Sequence, residues 1–141
     1  MSLDTPLLFL VYNRPKITER VFSQIEKAQP KKLYIAADGP KDQNDKKKTD
    51  KTRLMFNRID WSCDLKKLYR DQNLGCKNSV KNAIDWFFEN EEHGIILEDD
   101  CYPNETAFKF FNDLDYNNQI QRSYDLILIE RQNKNLKKDA A

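Results

Sequence analysis

Short apolar runs alternate with longer segments of mixed polarity along most of the chain. Each apolar run has about five residues, a length typical of buried strands, and turn-forming residues follow it. The first run, PLLFLVY, is apolar almost throughout, as expected for a strand covered on both faces. The pattern predicts strands at Leu7 to Tyr12, Lys32 to Ala36, Lys66 to Tyr69 and Ile95 to Glu98.

Four other segments carry apolar residues at the 3.6-residue spacing of helices that bury one side. The first begins at Pro15, a residue favoured in the first helical turn. The second follows a charged stretch, KDQNDKKKTDKTR, which we interpret as a polar loop, and the third ends at Gly94. The four predicted stripes are Ile17, Val21 and Ile25; Leu54, Met55 and Ile59; Val80, Ala83, Ile84, Phe87 and Phe88; and Ala107, Phe110, Phe111 and Leu114.

Strands that alternate with helices predict an α/β fold with three layers, α/β/α, around a mostly parallel sheet. We expect one such domain over residues 1–120, followed at 121–141 by an extra strand, YDLILIE, and a polar tail. Ligands of these sheets bind beyond the carboxyl ends of the strands. The polar residues that follow the strands should therefore share one rim: Asn13 and Arg14; Asp38 and Gly39; Arg70, Asp71 and Asn73; and Glu98, Asp99 and Asp100.

Charge and cysteine content narrow the function classes. The chain of 141 residues has 24 Lys and Arg against 23 Asp and Glu, a net charge of +1, so no global field attracts nucleic acid. Cys63, Cys76 and Cys101 are odd in number and widely spaced, which favours reduced thiols in a cytoplasmic protein. The apolar run from Leu7 to Val11 falls far short of the roughly 20 residues of a membrane span. Peripheral attachment at the inner membrane face stays open.

Three consecutive carboxylates, Glu98, Asp99 and Asp100, end the fourth predicted strand and repel one another unless a cation lies among them. Aligned acidic oxygens suit Mg²⁺ or Mn²⁺, whose coordination is usually completed by water and substrate phosphates. Arg14 on the same rim would pair with phosphate or brace the carboxylates, as would Arg70. The rim therefore predicts a phosphate-bearing ligand bridged by a metal.

Several of these residues also have structural interpretations. Consecutive acids at a strand end can cap the following helix, and Asn13 and Gly75 can serve turns. His93, at a predicted helix end, is better explained by the helix dipole than by catalysis. Cys101, beside the acids, is better explained by packing.

Four segments, FLVYNRP, LYIAADGPK, RDQNLG and GIILEDDCYPNETAFKFF, resemble in order and spacing the nucleotide-diphospho-sugar transferases of the GT-A fold. The similarity is greatest to bacterial family-2-like glycosyltransferases, and the EDD triplet also resembles that of the N-acetylglucosaminyltransferase I type. It covers about Pro6 to Leu114. The resemblance implies a Rossmann-like GT-A fold, a nucleotide-diphosphate sugar as donor, and transfer of the sugar to a glycan or lipid-linked acceptor.

The resemblance also implies a role for each motif residue. Asp100 corresponds to the acid of the DxD motif that binds the metal, Mn²⁺ or Mg²⁺, at the diphosphate, where the ion stabilises charge on the departing group. The residues implied to bind the nucleotide are Tyr12, Asn13 and Arg14 at the pocket border, Asp38 at the base, Arg70, Asn73 and Gly75 beneath the nucleotide, and Glu98 and Asp99 near the ribose and the metal's waters.

Relatives of this kind continue past the acidic motif with an acceptor-binding half that supplies a catalytic base. Asp113, Asp115 and Asp125 are available carboxylates, but their surroundings match no known motif. We therefore expect a donor-binding portion that transfers sugar poorly by itself, with open sheet edges that favour self-association. The alternatives are a nucleotide-sugar-binding module or truncated subunit and, less favoured, a phosphoacceptor receiver domain, whose acidic pair would come early in the chain.

Overall fold

The computed structural model describes residues 2–103 and 106–109, and these form an α/β unit with a four-stranded, all-parallel sheet. The four strands predicted between Leu7 and Glu98 are each present within a residue or two of their expected bounds, so the α/β class is confirmed. Residues 106–109 are also helical. The elements in chain order are β1 (Leu7–Val11), α1 (Pro15–Ala28), β2 (Lys32–Ala37), α2 (Gln43–Leu54), a short 3₁₀ helix (Met55–Arg58), β3 (Asp64–Tyr69), α3 (Cys76–Asn90) and β4 (Ile95–Glu98).

The strand order is β3-β2-β1-β4, which places β1 in the interior of the sheet. Leu7 of β1 is aligned with Leu33 of β2 on one side and with Ile95 of β4 on the other. The chain moves outward from β1 through β2 to β3 and then returns to the opposite side of β1. The strand order therefore reverses between β1 and β4, which is where open parallel sheets form a ligand crevice.

Helices cover both faces of the sheet, because neighbouring side chains of a strand point to opposite sides. Phe9 of β1 packs with Phe22 of α1 and Phe56 of the 3₁₀ helix, and the rings of Phe22 and Phe56 lie 5.0 Å apart, edge to face. Leu8 faces the other side and packs with Phe87 of α3. Burial of each such side chain contributes about 1.5–3 kcal/mol, so both layers help to fix the position of β1.

The charged stretch after β2 was predicted to be a loop, and this prediction is wrong. It forms most of α2, which begins after Asp42, whose side chain accepts a hydrogen bond from the backbone N–H of Asp45 at 2.8 Å. The buried side of α2 consists of Asp45, Thr49 and Thr52. Because these residues are polar, α2 has no apolar stripe to reveal it. The lysines of α2 from Lys46 to Lys48 are exposed.

The ends of the other helices differ in detail from the prediction. The helix expected to carry Leu54, Met55 and Ile59 is the end of α2 followed by one turn of 3₁₀ helix. α3 ends at Asn90, earlier than Gly94, because the next residue has extended backbone geometry.

Only part of the fourth predicted helix can be assessed. Ala107 is partly buried, and Phe108, which was not assigned to the stripe, is buried in the core. Phe110, Phe111, Leu114 and the YDLILIE segment lie outside the described residues. None of the described helices is both long and apolar enough to cross a membrane.

Candidate functional site

A cavity of about 480 Å³ lies at the carboxyl ends of β1, β2 and β4, beside the strand-order reversal. Its wall is completed by the loop after β3 and by the first turns of α3. The motif segments from different parts of the chain thus meet in one place. The predicted site residues that line it are Tyr12, Asn13, Arg14, Asp38, Asn73, Gly75, Glu98, Asp99 and Asp100.

Asp38 connects the loop after β2 to the loop after β3. Its Oδ1 atom accepts hydrogen bonds from the backbone N–H groups of Gly39 at 2.8 Å and Leu74 at 2.9 Å. Its Oδ2 atom accepts from the side-chain amide of Asn73 at 3.1 Å, and that amide also donates to the Gly39 carbonyl. These bonds use three of about four acceptor positions of a carboxylate. Contact between Asp38 and a nucleotide base stays a prediction.

Two glycines shape the same loops for different reasons. A Cβ atom at Gly39 would collide with the backbone of Gln72, so glycine lets the loops after β2 and β3 touch. Gly75 directly precedes α3 and has a φ of 85°. Residues other than glycine rarely adopt this backbone conformation. The turn interpretation of Gly75 therefore applies, and Gly75 also lines the cavity.

Arg53, and not Arg70, braces the rim between β2 and β3. The Arg53 guanidinium donates hydrogen bonds to the carbonyls of Asp38 at 3.1 Å and Arg70 at 2.7 Å, and it lies 4.9 Å from the ring centre of Tyr69. Arg70 extends the ladder through its backbone N–H. It is not among the described residues that line the cavity. Sequence reasoning missed Arg53 because nothing in its spacing separates it from the neighbouring lysines.

The three acids after β4 have different environments. Asp99 is buried, with 5% of its surface exposed, and forms an ion pair with Arg14 in which both carboxylate oxygens accept hydrogen bonds. Asp100 is exposed, and its Oδ2 atom lies 3.8 Å from the same guanidinium. Glu98 is intermediate in burial. Arg14 thus supplies positive charge where the acidic triplet needs it.

The pKa values of the ion pair reflect burial as well as the neighbouring charges. Burial raises the pKa of the Asp99 carboxyl above its usual value, although Arg14 acts in the opposite direction, and Asp100 and Glu98 add to the rise. The hydrogen bond to Asp99 raises the pKa of the Arg14 guanidinium. Additional positive charge beside these acids would therefore be favourable.

Glu98, Asp100 and Cys101 offer ligand atoms that all lie within 4.8 Å of one another. The two carboxylates suit a hard divalent ion such as Mg²⁺ or Mn²⁺, whereas the buried Cys101 thiol is a soft donor. Asp99 is held by Arg14 and is not part of this group. Of these three donors, the two carboxylates thus fit a hard ion and the thiol does not.

Sequence reasoning also missed Asp45, a buried carboxylate in the first turn of α2. It accepts hydrogen bonds from the Tyr12 hydroxyl, the Asn13 side-chain amide at 2.7 Å and the Lys41 backbone N–H at 2.9 Å. Burial acts to raise the pKa of Asp45, but these hydrogen bonds outweigh it and the pKa is lowered. Burial and the hydrogen bond to Asp45 raise the pKa of Tyr12.

No family model, curated protein or solved structure matches the chain. Its function therefore has to be inferred from its own motifs and from the residues that line the cavity.

Proposed function

We propose that the chain binds a nucleotide-diphosphate sugar together with Mn²⁺ or Mg²⁺, and that it is a glycosyltransferase or the donor-binding portion of one. The observation that carries this proposal is the convergence of all four motif segments on one cavity beside the strand-order reversal. Open parallel sheets bind nucleotides at this position. The cavity volume of about 480 Å³ also falls within the range of small-molecule sites.

The sheet supports assignment to the Rossmann-like GT-A fold as part of the same proposal. Its order, β3-β2-β1-β4, matches the first four strands of the doubly wound order 3-2-1-4-5-6, and all its strand pairs are parallel. The acidic triplet follows β4, which is the strand across the reversal from β2 and its Asp38.

The residues around the cavity have roles that fit a charged nucleotide. Glu98 and Asp100 would hold the ion, which when bound would stabilise negative charge on the departing nucleoside diphosphate. Arg14 has nearly half of its side chain exposed, so it can meet a phosphate while it stays paired with Asp99. The remaining acceptor position of Asp38 would receive an N–H of the base.

Sugar transfer further requires an acceptor hydroxyl in line with the anomeric carbon and a base within hydrogen-bond reach. The carboxylates of Asp113, Asp115 and Asp125 lie outside the described residues, and we assign the role of base to none of them. The acceptor would be a glycan or a lipid-linked sugar. A nucleotide-sugar-binding module would share the donor site and differ in turnover.

Thermal unfolding tests the proposal. The melting temperature is measured with and without Mn²⁺ in the presence of UDP-, GDP-, ADP-, CDP- and dTDP-sugars. We expect at least one nucleotide sugar to raise the melting temperature only when Mn²⁺ is present, because a ligand that binds the folded state stabilises it. If no nucleotide sugar shifts the melting temperature under either condition, the proposal is wrong.

An activity assay then distinguishes a transferase from a donor-binding portion or module. The protein is incubated with Mn²⁺, the nucleotide sugar that it binds and a panel of acceptors. Transfer at about 1 per second or faster indicates a transferase. Binding without transfer favours the donor-binding portion or module.

A further inference from the structure

A buried carboxylate that the proposed function does not use lies directly behind the cavity wall. Asp45 belongs to α2, yet its hydrogen bonds all involve groups of cavity-lining residues or the helix cap. The donors are the Tyr12 hydroxyl, the Asn13 side-chain amide and the Lys41 backbone N–H, and all three residues line the cavity. Asp45 therefore contacts the residues that a ligand would meet.

The two carboxylate oxygens of Asp45 divide these donors between them. Oδ2 accepts from Tyr12 and from the Lys41 N–H at 2.9 Å, and Oδ1 accepts from Asn13 at 2.7 Å. An ionised carboxylate has no hydrogen to donate, so the atom of Asn13 that faces it must be the amide nitrogen. The carbonyl oxygen of Asn13 is then the acceptor that the amide offers to a ligand.

We infer that Asp45 is a positioning residue that sets which edge of the Asn13 amide faces the nucleotide, an inference that rests on the proposed nucleotide-binding function. With Asp45 in place, Asn13 presents a hydrogen-bond acceptor and selects a nucleobase with an N–H group at that point. A base with an acceptor there is rejected, because two facing acceptors leave buried polar groups unpaired. Asp45 thus controls base specificity without touching the ligand.

Asp45→Asn tests this inference because it reverses the amide and preserves the side-chain shape. The new amide oxygen at position 45 can still accept from Tyr12 and Lys41, but its NH₂ group must face Asn13. The Asn13 amide then turns over and presents its own NH₂ group to the cavity. The double variant Asp45→Asn, Asn13→Asp restores an acceptor edge at position 13 and keeps the net charge of the wild type.

Titration calorimetry with Mn²⁺ compares these proteins and Asp50→Asn in their dissociation constants for UDP, CDP, ADP, GDP and dTDP. Asp50 is an exposed carboxylate of α2 paired with Lys46, and it serves as the matched control. We expect Asp45→Asn to weaken binding of the preferred nucleotide by about tenfold or more and to change the order of preference. The double variant should restore the wild-type order, and Asp50→Asn should stay within about twofold of the wild type.

Each other outcome has a definite meaning. A folded Asp45→Asn variant that keeps the wild-type affinities and order overturns the positioning role and leaves the proposed function intact. If Asp45→Asn does not fold, the double variant decides: the wild-type order supports the role, whereas a changed order or an unfolded protein overturns it. If the wild type binds none of the five nucleotides, the proposed function fails and the role of Asp45 fails with it.

Discussion

The two sides of the cavity satisfy their carboxylates in opposite ways. On the β2 side, Asp38 and Asp45 are buried and accept hydrogen bonds from N–H and O–H donors of neighbouring loops and side chains. On the β4 side, the acids from Glu98 to Asp100 adjoin one another and interact with the charged Arg14. Hydrogen bonds fix a carboxylate in place, whereas crowded charge favours an added cation. The β2 side therefore keeps its shape through hydrogen bonds, and the β4 side is where we propose that an ion binds.

The largest expected effect is on stability at the β2 side, from Asp38→Ala. The substitution leaves the N–H groups of Gly39 and Leu74 without their acceptor and removes one of the two acceptors of the Asn73 amide. We expect the free energy of unfolding to fall by about 2–4 kcal/mol, measured by urea denaturation. Asp85→Ala, at an exposed carboxylate of α3, is the control and should change it by about 0.5 kcal/mol or less. A similar small loss for Asp38→Ala would mean that other contacts hold the two loops.

Arg14→Gln sharpens the comparison from the β4 side. It leaves the buried Asp99 without its ion-pair partner, but Arg14 is half exposed and water screens the pair. We expect a loss of about 1–2 kcal/mol in unfolding free energy at neutral pH. Saturating Mn²⁺ should recover more stability in this variant than in the wild type, as measured by melting temperature. If Mn²⁺ raised the melting temperature of both proteins equally, Arg14 would have no influence on the ion site.

Asp100→Asn should weaken nucleotide binding without destabilising the folded protein. Loss of a ligand carboxylate weakens Mn²⁺-dependent nucleotide binding by about tenfold or more, whereas relief of charge repulsion leaves the metal-free protein as stable or slightly more stable. Titration calorimetry and thermal unfolding measure the two effects. Unchanged affinity in the presence of Mn²⁺ would remove Asp100 from the metal site.

The smallest expected effect is on the pH dependence of the free energy of unfolding, to which Asp45 and Asp99 should contribute with opposite signs. The lowered pKa of Asp45 stabilises the fold above the unfolded value of 3.8, and this stabilisation is lost as the pH falls through the folded value. The raised pKa of Asp99 has the opposite sign, because stability falls as the pH rises from 3.8 through the folded value. Each contribution should be about 1 kcal/mol or less.

Urea midpoints between acidic and neutral pH, measured for Asp45→Asn and Asp99→Asn, test these signs. The stability of Asp45→Asn relative to the wild type should fall as the pH rises, and that of Asp99→Asn should increase. If the stability relative to the wild type changed with pH in the same direction in both variants, the opposite pKa shifts of Asp45 and Asp99 would be contradicted.

Apolar runs reveal most of the fold and the rule of strand ends reveals much of the site. β1, β2 and β4 were predictable because their side chains are buried on both faces, and the residues that follow them necessarily share a rim. Asp45 and Arg53 were not predictable, because α2 contacts the rim through polar residues and carries no apolar stripe. The triplet likewise gives three equivalent acids in sequence, and only the tertiary position of Arg14 distinguishes Asp99 from Asp100.

The sequence around Asp45 also contains a polar pattern that a search for hydrophobic periodicity does not detect. Asp45, Thr49 and Thr52 recur at helical spacing, and Asp42 precedes them as a capping residue. A search for buried polar stripes would have indicated the helix.

The interior position of β1 has a consequence for the order in which the protein folds. β1 pairs with β2 across a single helix, but its pairing with β4 joins the first and last strands of the described chain. Closing this longest loop has the highest entropy cost, so we expect β4 to dock late. The acidic triplet reaches Arg14 only at that step. A nascent chain can therefore build most of its core before the proposed ligand site is complete, and a ligand bound at that site would hold the last strand in place.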